Sequence, residues 1–144
     1  MDKITFVDDT EPAISADNLN QLQTNVETAI NQVNQIKNGN ITAQDGITIQ
    51  YPSIVQSGKV VSIRFKANRE SGFSSGDQII LGQITGIDFP KTGFITMQAV
   101  GGEWTLKNII YGYMGANGAV SVNSDSSIPS SYTYCHIEIM YVAD

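Results

Sequence analysis

An apolar stripe with a helical period runs along the N-terminal quarter of the chain. It recurs at alternating steps of three and four residues, at Leu19, Leu22, Val26, Ala29, Val33 and Ile36. This period is typical of a helix that packs against other helices, whereas a helix lying on a sheet needs a broader stripe. The stripe therefore favours a parallel coiled coil, most simply a trimer. A helix packed against its own β domain is the alternative.

The predicted helix has marked ends. Ser15 is a good N-cap, and Asp17 lies in the first turn, where the helix dipole favours an acid. Gly39 suits the left-handed position that ends many helices. We therefore predict a coiled-coil segment over residues 15–39, preceded by an extended arm over residues 1–14.

Beyond Gly39 the apolar period changes to two. In the clearest strand, Val61, Ile63 and Phe65 share one face and polar residues share the other. Further strands are predicted at 47–50, 78–84, 94–100, 104–114, 119–122 and 134–142. Turn-forming segments, rather than helices, separate these strands. The pattern predicts a mainly β fold, an antiparallel β-sandwich or jelly-roll-like head over residues 40–144.

Charge and hydropathy exclude several classes of function. The net charge is −6, and residues 1–39 carry six acids against two bases. Without a basic patch, binding to nucleic acid or to an anionic membrane is not expected. The sequence has neither a signal peptide nor an apolar run long enough to insert into a membrane, so synthesis in a cytoplasm is expected.

The sequence offers no convincing catalytic or metal site. Its one cysteine and one histidine, Cys135 and His136, are neighbours on a predicted strand and therefore point to opposite faces. Cys135 is expected in the core, and His136 is expected at a subunit interface or as a satisfied surface residue. Glu103 lacks a second acid for glycan hydrolysis. Asp125 is not part of a calcium-loop pattern. We therefore expect no enzyme activity, no cofactor and no metal.

Binding of a saccharide needs aromatic faces and planar polar groups rather than a proton relay. Tyr111 and Tyr113 would share one face of their strand, and the segment 123–131 is a polar loop. The predicted receptor-site residues are Arg69, Tyr111, Tyr113, Asn123, Asp125 and Tyr132. Trp104 is expected on the opposite, core-facing side of its strand.

Several segments of the chain resemble segments of a known protein family. The run from Ile4 to Gln23, with its Phe, acidic turn, Pro-Ala-Ile and Asn-Leu-Asn, resembles the N-terminal anchor of tail, baseplate and tail-fibre proteins of phages that infect Gram-positive bacteria. Gly58–Phe65, Phe89-Pro90 and Asn117–Val122 resemble their head domains. A Leu-Pro…Phe-X-Pro run common in such heads is kept only in part, in Ile84–Pro90.

The resemblance implies a homotrimer in the virion. Its residues 1–14 would dock onto a tail or baseplate protein, and its head would bind a host cell-surface saccharide during adsorption. The alternative is a structural tail accessory or tip protein whose head binds another virion protein and no receptor.

Overall fold

The computed structural model describes residues 15–33, 35–102, 105–124 and 126–143. The chain divides into two compact units, Met1–Gln35 and Ile36–Asp144. The described part of the first unit is one helix, and that of the second is an antiparallel sheet of nine strands. The predicted mainly β class with one N-terminal helix is confirmed. The predicted arm, residues 1–14, lies outside the described residues.

Helix α1 spans Ala16–Val33 and starts as predicted. The Ser15 hydroxyl accepts a hydrogen bond from the Asp17 N–H at 3.2 Å, and the Ser15 carbonyl accepts the first helical bond from Leu19 at 3.1 Å. None of the residues of α1 is buried. No helix in the described stretches is long and apolar enough to cross a membrane.

The helix ends earlier than predicted. Ile36–Asn38 is not its last turn but strand β1, which pairs with Ser57–Val55 of strand β3 (Thr48–Ser57). Tertiary pairing overrides helix propensity here, and the β-branched Ile36 fits an extended backbone. Ile36 therefore does not belong to the helical stripe, whereas the other five predicted positions do lie on α1. Gly39 has no left-handed φ, so its predicted role as a helix cap was also wrong.

The remaining strands follow the predicted period of two. They are β2 (Asn40–Ala43), β4 (Val60–Asn68), β5 (Gln78–Thr85), β6 (Phe94–Gly102), β7 (Thr105–Met114), β8 (Ala119–Asn123) and β9 (Tyr134–Val142). Their order in the sheet is β1-β3-β4-β9-β6-β7-β8-β5-β2. Neither β1 nor β2 was predicted, because β1 falls within the predicted helix and β2 is only 4 residues long.

Gly39 joins the two edges of this sheet. The edge strands, β1 and β2, are consecutive in the chain and only Gly39 separates them, so the sheet must roll round on itself. The Gly39 N–H donates to the Ile54 carbonyl at 2.8 Å. A Cβ at this position would collide with the Ile54 side chain and lie 3.0 Å from the Thr85 carbonyl oxygen. Glycine is needed here for close approach of the backbone.

The core lies between the two halves of the rolled sheet. Alternate residues of strands from both halves form one buried cluster, which includes Val61, Ile63, Phe65, Leu81, Ile84, Ile110, Met114, Val120, Val122, Ile137 and Ile139. Among the described residues, Phe73, from the segment between β4 and β5, has the largest fully buried side chain. This arrangement is consistent with the predicted sandwich.

Strands β6 and β9 diverge after three residue pairs. Ala99, Val100 and Gly101 pair with His136, Cys135 and Tyr134, whereas β9 pairs with β4 along its whole length. His136 therefore stands on the outer face of the sheet at the point where the two halves separate. Ala99 also pairs with Ile109 of β7, so at this point β6 lies between β9 and β7 in the sheet.

Candidate functional site

A cleft of about 330 Å³ lies on the outer face of β7 and β8 and contains two of the predicted receptor-site residues. We call it the tyrosine cleft. Its described lining consists of Gly76, Ile109, Ile110, Tyr111, Asn123, Ser124 and Ser126. The structure thus brings Tyr111 and Asn123 together although twelve positions separate them in the chain. Asp125, predicted beside them, lies outside the described residues, as do Glu103 and Trp104.

Strand alternation sets the direction of the Tyr111 ring. Ile110 and Met114 are buried in the core, so Tyr111 and Tyr113 face outward, as predicted. Tyr111 is 62% exposed. An aromatic face this open at the edge of a cleft is available for stacking against a ligand.

Short hydrogen bonds fix the polar side of the tyrosine cleft. The Ser124 hydroxyl donates to the Asp77 carbonyl at 2.8 Å, and it lies 2.7 Å from the Ser75 hydroxyl. The Ser124 N–H also donates to the Asp77 carbonyl, at 2.9 Å. These bonds hold the end of β8 against the start of β5, and they leave the Asn123 side chain exposed at the rim.

The three other predicted receptor-site residues that the structure describes, Tyr113, Arg69 and Tyr132, do not line the tyrosine cleft. Tyr113 places its hydroxyl against Gly93, where a Cβ would collide with it. Arg69 donates from its guanidinium to the Gly72 carbonyl at 2.7 Å and from its N–H to the Thr133 carbonyl at 2.9 Å. Tyr132 lies in the same pair of loops, because its carbonyl borders Gly72. Arg69 therefore holds two loops together.

A second cleft, of about 310 Å³, lies on the outer face of β3, β4 and β9. We call it the histidine cleft. Its described lining consists of Tyr51, Arg64, Phe65, Lys66, His136, Ile137 and Glu138. The strand register explains the grouping, because Arg64 lies opposite Glu138 and Lys66 lies opposite His136. Strand alternation in the sequence predicts that His136 and Glu138 share a face, but it does not predict that β9 pairs with β4.

Tyr51 stands over the histidine cleft in a strained conformation. It has a φ of 52° and is the one non-glycine residue with positive φ in the described part of the chain. It sits in an irregularity of the β3–β4 ladder, between Gln50 and Ser53, just before Pro52. Such a backbone costs about 1–3 kcal/mol for a residue with a side chain. At 78% exposure, little of this cost is offset by burial of the ring.

Two cations and one carboxylate meet in the histidine cleft. The Arg64 guanidinium lies 3.0 Å from the Glu138 carboxylate, and both side chains are largely exposed. Lys66 is buried, and its Nζ stands 3.7 Å from the centre of the Tyr134 ring, a cation–π contact. The charge in the described lining is therefore positive, in a chain whose net charge is −6.

His136 is half-buried between Lys66 and the backbone of β6. Burial lowers the pKa of His136 below its usual value, and the positive charge of Lys66 lowers that pKa further. The ring is therefore neutral near pH 7. Its Nε2 is buried and has no hydrogen-bond partner within the described stretches. The predicted satisfied surface histidine is thus not observed.

The arrangement around both clefts suits binding. Cys135 is fully buried, as predicted, and burial raises the pKa of its thiol to about 12, which suppresses the nucleophilic thiolate. Within the described stretches, no group of three His, Cys, Asp or Glu side chains could hold a metal ion. The clefts instead offer open aromatic rings beside hydrogen-bonding and charged groups.

Comparison with known proteins finds similarity in structure but no match in sequence. No protein-family model matches the chain, and no curated protein matches it. The fold is similar to the crystal structure of the receptor-binding protein (gp15) of Listeria phage PSA, with a TM-score of 0.54 over 89% of this chain and 77% of that one. The two sequences are 10% identical, so the likeness is one of fold.

Proposed function

We propose that this chain is a component of a phage tail or baseplate and that its β unit binds a host cell-surface saccharide during adsorption. The fold similarity to a phage receptor-binding protein supports the virion role. The open Tyr111 ring at the rim of the tyrosine cleft is the observation that carries the binding role.

The tyrosine cleft matches what a sugar requires of its binding site. The apolar face of a sugar ring packs on an aromatic side chain, and its hydroxyls pair with amide and hydroxyl groups. Tyr111 supplies the ring, and Asn123 and Ser126 supply the polar groups. The contact that binds Ser124 to Asp77 keeps this rim in place, so little ordering is needed when a ligand arrives.

The other parts of the chain complete the proposal. The exposed stripe of α1 forms a homotrimeric coiled coil, and residues 1–14 dock onto a tail or baseplate protein. The protein acts in the virion, by binding and without catalysis. The helical period of the stripe supports the trimer, and the likeness of the N-terminal segment to phage anchors supports docking.

A glycan array with the full chain tests the binding role. We expect Tyr111→Ala to weaken saccharide binding at least about tenfold, or about 1.4 kcal/mol, because the stacking face is lost. Tyr113→Ala is the matched control, since it removes the same ring from the same face of β7 outside the cleft, and it should bind like wild type. A chain that binds no saccharide but retains affinity for a tail protein would instead be a structural tail component.

A further inference from the structure

The proposed receptor site leaves two features of the histidine cleft unexplained. Tyr51 combines a strained backbone with an exposed ring, and Arg64 presents an exposed guanidinium beside it. Backbone strain of this kind costs folding energy, and it persists in proteins mainly at binding and catalytic sites. A ligand that contacts both side chains would account for them.

We propose that the histidine cleft is a second binding site, which accepts a neutral saccharide unit. The Tyr51 ring stacks on the face of the sugar, and the Arg64 guanidinium donates hydrogen bonds to oxygens of the sugar. This inference rests on the proposed function only for the saccharide nature of the ligand. Its residues are different from those of the tyrosine cleft.

The backbone of Tyr51 supports a role in binding. A glycine would adopt the positive φ of 52° without strain, and a residue that precedes a proline, here Pro52, ordinarily favours an extended backbone. The ring adds little to the core, because 78% of the residue's surface is exposed. Core packing therefore does not explain an aromatic residue at this position, whereas stacking on a ligand does.

Both cations of the histidine cleft have partners within the chain, which indicates a neutral ligand. The Arg64 guanidinium is paired with the Glu138 carboxylate at 3.0 Å, and the buried Lys66 packs on the Tyr134 ring. A carboxylate or phosphate would have to compete with Glu138 for the guanidinium. Most of the surface that lines the cleft is apolar, as the face of a sugar ring requires.

Arg64 keeps hydrogen-bond donors for an uncharged ligand. A guanidinium carries several N–H donors in a planar fork, and among the described residues the Arg64 side chain donates only to Glu138. The Arg64 side chain is 70% exposed, so its other donors are accessible. Hydroxyl and N-acetyl oxygens accept hydrogen bonds from such donors and carry no charge.

The size and the backbone of the site favour a saccharide over a peptide. At about 310 Å³ the cleft is at the small end of the range of ligand sites, about 300–1,000 Å³, and it suits about one or two sugar rings. Strand β4 lies between β3 and β9 and pairs with both, so its backbone is not open to an extended peptide. A saccharide needs no such backbone pairing.

A glycan array tests the ligand class. It carries neutral oligosaccharides of glucose, galactose and N-acetylglucosamine beside oligogalacturonates, and the full chain is compared with its Tyr51→Gly variant. We expect at least one neutral oligosaccharide to bind the variant about tenfold more weakly. Its affinity for wild type, measured by calorimetric titration, should change less than about twofold with added salt. A blank array, signals independent of Tyr51, or dependence on Tyr51 for oligogalacturonates alone would overturn the proposal.

Variants of the cleft test its two residues separately. Tyr51→Phe keeps the ring and should retain binding, and Tyr51→Gly should not lower Tm, because relief of strain offsets the added freedom of the unfolded chain. Arg64→Lys keeps the charge but loses the planar fork, so it should weaken binding about tenfold. Lys59→Gln, in the exposed β3–β4 turn, should leave binding unchanged. Wild-type affinity in Arg64→Lys would overturn the proposal.

Tyr111→Ala separates this inference from the proposed receptor site. If the two clefts are distinct, the array signals that this variant loses are different from those that Tyr51→Gly loses. Loss of the same signals in both variants would show that they share one site, and it would overturn the second-site proposal alone. An array whose signals depend on Tyr51 and not on Tyr111 would support the histidine cleft and reject the tyrosine cleft.

Discussion

The helix and the β unit carry equally regular apolar patterns, but only one of them buries its pattern within the chain. In β4, Val61 and Ile63 are completely buried. In α1, Leu22, Val26 and Val33 are exposed by 59, 48 and 68%. Both patterns could be recognised in the sequence. The two units differ in burial: the apolar residues of β4 are buried in the core, whereas the apolar stripe of α1 is exposed.

We therefore expect the β unit to be stable within a single chain and the helix to be stabilised by assembly in the proposed trimer. The β unit folds its two halves onto a common core, so its unfolding should not depend on protein concentration. An isolated helix of 18 residues is marginal in water, and the exposed stripe of α1 would gain from burial against a partner. Under the proposed trimer, the order of the helix should therefore rise with protein concentration.

The largest effect is expected in the β unit. Phe73→Ala removes the largest fully buried side chain among the described residues, and it should lower the free energy of unfolding by about 3–5 kcal/mol. Urea unfolding followed by far-UV circular dichroism measures this loss. Met140→Ala is the control, because Met140 is 73% exposed and its truncation should change stability by less than about 0.5 kcal/mol. A loss below about 1 kcal/mol for Phe73→Ala would contradict a single shared core.

A substitution in the helix is expected to affect folding less than Phe73→Ala does, but to affect assembly more. Val26→Asp places a charge on the stripe and removes about 1.5–3 kcal/mol of burial per helix in the proposed trimer. Light scattering should show a trimer for wild type and a smaller species for the variant. Asn25→Asp adds the same charge beside the stripe and should leave the trimer intact. A monomeric wild-type chain would contradict the proposed trimer, because the stripe of α1 would then not be buried against another helix.

The elements with the most regular local pattern were predictable from the sequence. Strands β4 and β9 alternate without interruption, and they form nearly where the alternation predicts. The start of α1 is encoded locally by Ser15, which caps it. The end of α1 is not, because Ile36–Asn38 is drawn into the sheet by pairing with residues 55–57, about twenty positions away. The local sequence pattern does not predict pairing with a strand so distant in the chain.

The two clefts also differ in how far the sequence predicts them. Tyr111 and Tyr113 face outward because of the alternation of one strand, which the sequence shows. The histidine cleft requires β3, β4 and β9 to lie side by side, with Arg64 opposite Glu138 across 74 positions of the chain. It also requires a bulge at Tyr51, for which the Tyr-Pro pair is at most a weak signal. These features arise from register, so only the folded chain reveals them.

The smallest predicted effect lies where the two units join in the chain. Lys37 of β1 binds both Asp88 carboxylate oxygens at 2.7 Å, and the Gln56 side chain donates to Asp88 at 2.8 Å. Hydrogen bonds from Lys37 and from Gln56 hold the pKa of Asp88 below its usual value. Because the folded pKa is lowered, this carboxylate stabilises β1 above about pH 4, the pKa range of an unpaired aspartate, and the stabilisation is lost as pH falls through the folded pKa.

Hydrogen exchange of the β1 amides measures this local effect. Asp88→Asn should speed exchange at Lys37 and Asn38 near pH 7, and the difference from wild type should shrink toward pH 3, with each chain's exchange corrected for its intrinsic pH dependence. The contribution should stay below about 1 kcal/mol, because solvent screens an exposed pair. Asp45→Asn, in an exposed turn, should leave these amides unchanged. Faster exchange throughout the core of Asp88→Asn would mean that β1 is not a separable edge but part of the cooperative unit.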